Sequence, residues 1–330
     1  MTERINVLVT PAGSRMAVVA IKALKQDPSL KIVASDINPL AAGLHLAHKG
    51  YLVPPISDPK FFSATDLVIE KEEIDVVIPC LDTFLLPFAK RKAFEEKGVK
   101  VIISPEKTIE ICRDKWRTYT ALRDTIPMPK STIDFSNLEE TCNYVRFPAL
   151  LKPRSGSGSE NIHVVRDEND LIFYLRKVDD PLLQRQIDGE EYTVDMLVDR
   201  DRKPLAVVPR KRIEVKAGVS VKGAIDLNSA LIEIGRRICE KLEFFGPVNF
   251  QAIIDKKDEI PKVTEINPRI SGGMSLTIAS GVNIPLLSVY LAMGKTVDIK
   301  PPEERVVYMS RYYEEIMFKS EPVENLEDFR

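Results

Sequence analysis

The stretch from 249 to 269, NFQAIIDKKDEIPKVTEINPR, decides how this chain is read. It holds two alternating runs separated by the polar segment Lys256-Lys257-Asp258-Glu259, the pattern of a hairpin with apolar residues on one face of each strand. Strand side chains alternate sides, so Glu265 and Asn267 share a face and the hairpin brings Gln251 beside them. A carboxylate flanked by amide oxygens, with no His or Cys, suits a hard divalent cation shared with phosphates. Arg269 follows on the same face and would set a fixed positive charge beside that metal. The same alternation also describes a surface hairpin with a polar rim, and the stretch alone leaves both readings open.

The chain around this hairpin has 330 residues, too many for one comfortable core and enough for two or three domains. Its 47 basic and 49 acidic residues nearly cancel, so no bulk charge draws it to nucleic acid or to a membrane surface, and any attraction for phosphates must be local. Cys80, Cys112, Cys142 and Cys239 stand far apart in apolar or helical contexts, as free thiols in a reducing compartment do. The start MTERINVLVT lacks the apolar core of a signal peptide, and no run approaches membrane-spanning length, so the expected location is the cytoplasm.

The first third alternates strands with helices. INVLVT, KIVASD, a short strand near YLVP, DVVIPC and VKVIIS are separated by helical patterns at Arg15 to Gln26, Phe61 to Glu72 and Thr83 to Lys97. Repeated βα units imply a parallel sheet with helices on both faces, and such sheets place ligands at the carboxyl ends of their strands, where Pro11 to Arg15, Asp36 and Asp82 fall. The first loop, TPAGSRM, has one glycine where a dinucleotide fingerprint needs three, which disfavours a nicotinamide-dependent oxidoreductase. Asp36 ends its strand as a ribose-binding acid would, although a strand-end Asp also serves as a turn residue.

A helix is expected over Thr108 to Asp124, stopped by the prolines of TIPMP. From Leu150 the pattern becomes strand-rich: ALLKP, NIHVV, LLQRQI, EYTVDMLVD and KPLAVVPRKRIEV, with short helices near Asn169 to Lys177 and Asn228 to Leu242. The latter carries Leu231, Ile234, Ile238 and Leu242 on one face. An α/β region is thus followed by an α+β region.

Several segments beyond the hairpin could carry chemistry. Lys152 closes a strand and leads into PRSGSGSEN, where Gly156 and Gly158 between serines would let backbone N–H groups gather on a phosphate. The same segment also reads as a flexible turn, and it lacks the Gly-Lys-Ser/Thr ending of a P-loop. Lys115, in RDKWR, is a second lysine that nothing local marks. Gln184 and the backbone of Arg185 to Ile187 could read an adenine edge, and Glu191 could accept ribose hydroxyls. Arg210, Arg212 and Lys222 bracket a Gly-containing segment that could fold over phosphates, with Arg212 the preferred participant. No Ser/His/Asp triad is evident, and His45 and His48, at helical spacing, read as surface or packing residues.

The order of these signals, from Lys115 and Lys152 through the Gly-rich loop and Gln184–Glu191 to Gln251, Glu265, Asn267 and Arg269, resembles the ATP-grasp superfamily of carboxylate-amine ligases over nearly the whole chain. The resemblance implies an α/β N-terminal parallel-sheet domain at 1–113, followed by an α+β ATP-grasp fold of two subdomains, a small one at 114–187 and a large one with a C-terminal tail at 188–330. It implies that Lys115 and Lys152 hold ATP phosphates and that the Ser155, Gly156, Ser157, Gly158 loop closes over them. Gln184, Arg185 and Ile187 would meet adenine, Glu191 the ribose, and Gln251, Glu265 and Asn267 would bind Mg²⁺ or Mn²⁺. Arg269, Lys152 and Arg212 would act on the transferring phosphoryl group.

Within the superfamily the NPRIS string at Asn267 to Ser271 looks most like one ATP-grasp half of the large subunit of carbamoyl-phosphate synthase. The chain is long enough for one such half only. Lysines stand at Lys115 and Lys152 where that enzyme has arginines, and Gly272-Gly273 follow the string, features that pull toward single-unit amino-acid ligases. The implied reaction is ATP-dependent joining of a carboxylate to an amine or ammonia through an acyl phosphate. A non-catalytic ATP-binding subunit or sensor acting through a partner is the alternative. Small molecules, neither nucleic acid nor membrane, are the expected partners, and a homodimer is the default assembly.

Overall fold

The computed structural model describes residues 4–91, 93–156, 161–216, 218–302, 307–318 and 323–325. The N-terminal region comprises β1 (Ile5–Thr10), α1 (Arg15–Leu24), β2 (Leu30–Asp36), α2 (Ala42–Leu46), β3 (Lys49–Leu52), α3 (Phe61–Lys71), β4 (Val76–Pro79), α4 (Asp82–Lys90), α5 (Ala93–Glu96) and β5 (Lys100–Val101). Two helices, α6 (Glu106–Arg113) and α7 (Lys115–Leu122), lead into a second region of β6 (Ser131–Thr132), α8 (Leu138–Val145), β7 (Ala149–Pro153), β8 (His163–Val165), α9 (Glu168–Leu175) and β9 (Pro181–Arg185). The rest holds β10 (Gly189–Val198), β11 (Pro204–Lys216), β12 (Val219–Ile225), α10 (Ser229–Lys241), β13 (Gly246–Asp255), β14 (Pro261–Asn267), α11 (Ser275–Ala279), α12 (Ile284–Ala292), β15 (Tyr308–Ser310) and β16 (Val323–Asn325).

The strands form three sheets. The first runs β16-β3-β2-β1-β4-β5 and is parallel throughout, as its βα rhythm requires. The second, β6-β9-β7-β8, and the third, β14-β13-β10-β11-β12-β15, are antiparallel. A parallel-sheet domain therefore precedes a domain built on two antiparallel sheets, as expected. Among the described residues no helix is long and apolar enough to cross a membrane.

The N-terminal sheet and the third sheet share one core. Ala20, Ile21 and Leu24 of α1 pack in the same cluster as Ile284 and Val289 of α12, with Phe245, Ile270 and Met274 between them. Asn283 ties the same seam by donating from Nδ2 to Ala23 O at 3.0 Å. On the other face of the third sheet, α10 buries the stripe Leu231, Ile234, Ile238 and Leu242 against Val194, Met196 and Phe250. Each fully buried side chain of this kind contributes about 1.5–3 kcal/mol, and Asn228 caps the helix by accepting from Leu231 N at 3.1 Å.

Two expected helices are broken. The span 108–124 is interrupted at Asp114, which has extended backbone (φ −112°, ψ 111°), closes α6 and caps α7 by accepting from the N–H groups of Trp116 and Arg117. Arg154 holds the Asp114 carboxylate from the neighbouring sheet, so the break is fixed by a tertiary ion pair. The span 83–97 ends its regular part at Arg91, and α5 follows as a separate turn. VKVIIS pairs only through Lys100 and Val101. His45 and His48 do not share a helix: His45 lies in α2 and stacks on Phe318 at 3.6 Å, while His48 Nδ1 accepts from Ile32 N at 2.9 Å.

The first βα loop is closed by its neighbours. Ala12 N donates to Ser35 O, Gly13 N donates to Asp36 Oδ2 at 2.7 Å, and Asp36 Oδ1 also accepts from Asn38 N. Asp36 therefore acts as a turn acceptor. Helix α2 presses on this loop through Gly43, where a Cβ would lie 2.2 Å from Ala12 O. Gly43→Ala is expected to destabilise the protein by about 1–3 kcal/mol through overpacking against backbone, seen as an earlier urea midpoint. An unchanged midpoint would mean that α2 is not held against the loop in this way.

Candidate active site

The hairpin β13–β14 contains one irregularity that sets the site. Gln251 pairs with Glu265 and Ala252 with Val263, so Thr264 is an extra residue in β14. Such a bulge lets Val263 and Ile266 both enter the core although they are three apart. Directly opposed residues share a face, so Gln251 with Glu265 and Asn249 with Asn267 all face away from Phe250 and Ala252, which lie in the core. These four polar residues line a cleft of about 620 Å³.

Glu265 is half-buried and makes no hydrogen bond or ion pair among the described residues. It is an open hard-donor carboxylate. The amides around it are oriented: Gln251 Oε1 accepts from Arg212 Nη1 at 2.9 Å, and Asn249 Nδ2 donates to Arg269 O at 2.9 Å. Among the described residues no three His, Cys, Asp or Glu side chains converge. One carboxylate with amide oxygens fits a Mg²⁺-type cation only if a ligand's phosphates complete its coordination.

Two lysines enter the same cleft from the small sheet and its approach. Lys152, 6% exposed near the end of β7, donates to Gln184 Oε1 at 2.8 Å, and Gln184 Nε2 donates to Ser131 Oγ at 3.0 Å. Burial, reinforced by the charge of Lys115 and partly offset by Glu265, pushes the Lys152 ammonium down to about 8. Lys115 opens α7 and donates to Gly156 O at 3.1 Å, so it braces the Gly-rich loop. Ser155 and Gly156 line the cleft, whereas Ser157 and Gly158 lie outside the described residues.

Three arginines of the cleft, Arg210, Arg212 and Arg269, are each aimed by an acceptor. Arg212, whose side chain is 8% exposed, also donates to Gly218 O at 2.9 Å and sits 3.4 Å from Glu191. Arg269 is not a free charge beside the donor set: its Nε and Nη2 bind Asp82 in a bidentate pair at 2.8 and 2.7 Å. Asp82 is the first residue of α4, so this pair links the N-terminal domain to the end of the hairpin. Arg210 and Asp195 form a buried pair at 2.7 Å, with Ser271 and Thr277 also donating to the Asp195 carboxylate at 2.7 and 2.6 Å.

The structure thus brings together Lys115, Lys152, Ser155, Gly156, Arg212, Gln251, Glu265, Asn267 and Arg269. Gln184, Arg185, Ile187 and Glu191 are not among the cleft's lining residues. The Gln184 side chain is buried and committed to Lys152 and Ser131, so it positions a lysine and is poorly placed to read a base. Lys222 pairs with Glu214 at 2.8 Å. Sequence reading overlooked Asn249, Thr193 and Asp195 and passed over Arg210. Counting the hairpin register would have found Asn249, and a lone acid inside the apolar run YTVDMLV was a signal for Asp195.

The chain is similar to several known proteins. Residues 177–315 match the family described as "ATP-grasp in the biosynthetic pathway with Ter operon", and residues 7–102 match "PylC-like, N-terminal domain". A carbamoyl-phosphate synthase from Methanobrevibacter smithii is 23% identical over 299 residues, covering 86% of this chain and 80% of that protein. The biotin carboxylase domain of Hydrogenobacter thermophilus 2-oxoglutarate carboxylase, solved as a dimer with MgADP, ADP and bicarbonate, superposes with a TM-score of 0.72 at 18% identity, over 91% of this chain and 72% of that one. N5-carboxyaminoimidazole synthetase from Staphylococcus aureus gives 0.70 at 14% identity, over 90% and 79%. An L-amino acid ligase from Bacillus licheniformis gives 0.67 at 19%, over 89% and 75%. At these identities the structural likeness establishes the fold.

The depressed Lys152 makes a pH prediction. An anion bound at its ammonium favours the charged form, so above about pH 8 binding must take up a proton and affinity must fall as pH rises. Calorimetry of inorganic tripolyphosphate binding at pH 8.5, in buffers of different ionisation enthalpy, should show this uptake, and Lys152→Met should abolish it. Equal heats in all buffers would contradict the assignment.

Proposed function

We propose that this chain, which joins a PylC-like N-terminal domain to an ATP-grasp domain, is an ATP- and Mg²⁺-dependent ligase that couples a small carboxylate to an amine or ammonia. The observation that carries the proposal is the open Glu265 carboxylate, set among Gln251, Asn249 and Asn267 in the same cleft as Lys115 and the buried Lys152. Oxygen donors without nitrogen or sulfur, facing lysines across a cleft, suit phosphates and a hard cation.

In this reading a carboxylate oxygen attacks the terminal phosphorus of ATP and ADP leaves, giving an acyl phosphate. The amine then attacks the acyl carbon and phosphate departs. Lys115 and Lys152 hold the phosphates, and Ser155 and Gly156 line the cleft beside them. Gln251, Glu265 and Asn267 would hold Mg²⁺, which when bound neutralises charge on the transferring group. Arg212, directed by Gln251 and Gly218, faces the transferring phosphoryl oxygens, and Arg269, fixed by Asp82, orients the carboxylate.

The likeness to carbamoyl-phosphate synthase and to ATP-grasp carboxylases and ligases supports this chemistry at the level of reaction class. The lysines at Lys115 and Lys152 and the Gly272-Gly273 pair favour a single-unit ligase over a producer of carbamoyl phosphate. A homodimer is the proposed assembly, in keeping with the dimeric biotin carboxylase domain, and the cytoplasm is the proposed location.

The test is ADP release from MgATP against a panel of carboxylates paired with amines or ammonia, bicarbonate included. One pair should support turnover, and Glu265→Ala should lower it at least about a hundredfold, as loss of a group that stabilises transition-state charge does. Stabilisation by MgATP with no ADP release above the variant's background would replace the ligase with a nucleotide-binding subunit.

A further inference from the structure

At the α1 end of the cleft, three guanidinium groups meet Gly272 and Gly273: Arg15 and Arg210 line the cleft, and Arg311 approaches from beside it. Arg210 is 2% exposed and lines the cleft, and its Nε and Nη2 are engaged by Asp195 and Ser271. Its Nη1 has no partner among the described residues and lies so close to Gly273 that a Cβ there would sit 2.6 Å away. Arg311 donates through Nη2 to Gly272 O, while its Nε is buried without a partner. Arg15, the first residue of α1, lies along Gly272, where a Cβ would be 3.7 Å from its own Cβ and 4.0 Å from its Nε. Burial, with the charges of Arg210 and Arg15 adding to it, holds Arg311 below the usual guanidinium range.

Of the three, only Arg210 has an acid partner among the described residues. Asp195 already accepts hydrogen bonds from Arg210, Ser271 and Thr277, and among the described residues no ion pair reaches Arg15 or Arg311. The whole cleft is lined by six cationic and two acidic side chains, and one of those two acids, Asp82, is held by Arg269. The guanidinium groups without an acid, the exposed Arg15 and the half-buried Arg311, favour a planar anion, which they can grip through paired N–H donors.

We propose that Arg15, Arg311 and the open edge of Arg210 form a second anion subsite, which holds an additional acidic group on the carboxylate substrate. Resting on the ligase reading above, this makes the substrate a dianion, carrying a second carboxylate or a phosphate, in place of a monocarboxylate or a zwitterion. Since no ion pair reaches Arg15 or Arg311 among the described residues, an ammonium at the same place would meet like charge.

Calorimetry of the full chain preloaded with MgADP tests this with succinate, glutarate and 3-phosphoglycerate against propionate, butyrate and 4-aminobutyrate. At least one dianion should bind about tenfold or more tightly than the monoanion and the zwitterion, the scale of a charged hydrogen bond. Arg15→Gln and Arg311→Gln should each erase that preference, while Arg15→Lys keeps most of it and MgADP binds all variants alike. A stronger response to 3-phosphoglycerate than to glutarate assigns the second group as phosphate, and the reverse as carboxylate. Equal binding of all classes, retention of the preference in Arg15→Gln, or binding of MgADP but of no dianion overturns the subsite. Failure of MgADP to bind strikes instead at the ligase reading, and the arginines are then judged by the same comparison without nucleotide.

Discussion

The extra residue at Thr264 is the constraint on which the site depends. Without it, the strand that buries Val263 would turn Ile266 toward the cleft and Glu265 toward the core, because a one-residue slip exchanges the faces of every following side chain. With it, Val263 and Ile266 both join the core beneath α10, and Glu265 and Asn267 emerge opposite Gln251 and Asn249. Packing free energy on one face thus fixes the polar chemistry of the other. The Thr264 hydroxyl, which donates to Gln251 O at 3.3 Å, helps hold the irregular turn of the ladder.

Around this hairpin four cationic side chains are directed by acceptors. Asp82 grips Arg269, Asp195 grips Arg210, Gln251 and Gly218 aim Arg212, and Gln184 steadies Lys152. A buried charge without such partners costs several kcal/mol or loses its proton, and truncating one member of a buried pair costs about 3–5 kcal/mol. These acceptors therefore do more than neutralise: they fix the direction in which the remaining N–H donors point, so that a phosphate or carboxylate meets preorganised groups. The Arg269–Asp82 pair carries a further consequence, since it couples the position of a site residue to the docking of the N-terminal domain through α4.

The parallel N-terminal sheet, the strand-rich α+β region after it, the hairpin and the α10 stripe were legible in the sequence because each rests on local periodicity. Helix breaks were not. Asp114 interrupts what reads as one continuous helix because Arg154, some forty residues on, holds its carboxylate, and no local propensity carries that information. The last strands were missed for the same reason: β15 pairs with β12, and β16 adds to the N-terminal sheet beside β3, contacts between segments far apart in sequence.

For the site, the sequence by itself determined which residue types could act: a carboxylate among amides, two lysines and a Gly-rich loop, in an order that resembles the ATP-grasp superfamily. Tertiary structure alone decided which of them meet and in what state. It placed Lys152 in a buried chain with Gln184 and Ser131, engaged Arg269 with an acid 187 residues away, and gathered Arg15, Arg210 and Arg311 around Gly272-Gly273. The physical reason is the range of the forces. Side-chain alternation and helical periodicity act over a few residues and are written along the chain, whereas desolvation and charge pairing depend on which distant segments the fold brings into contact.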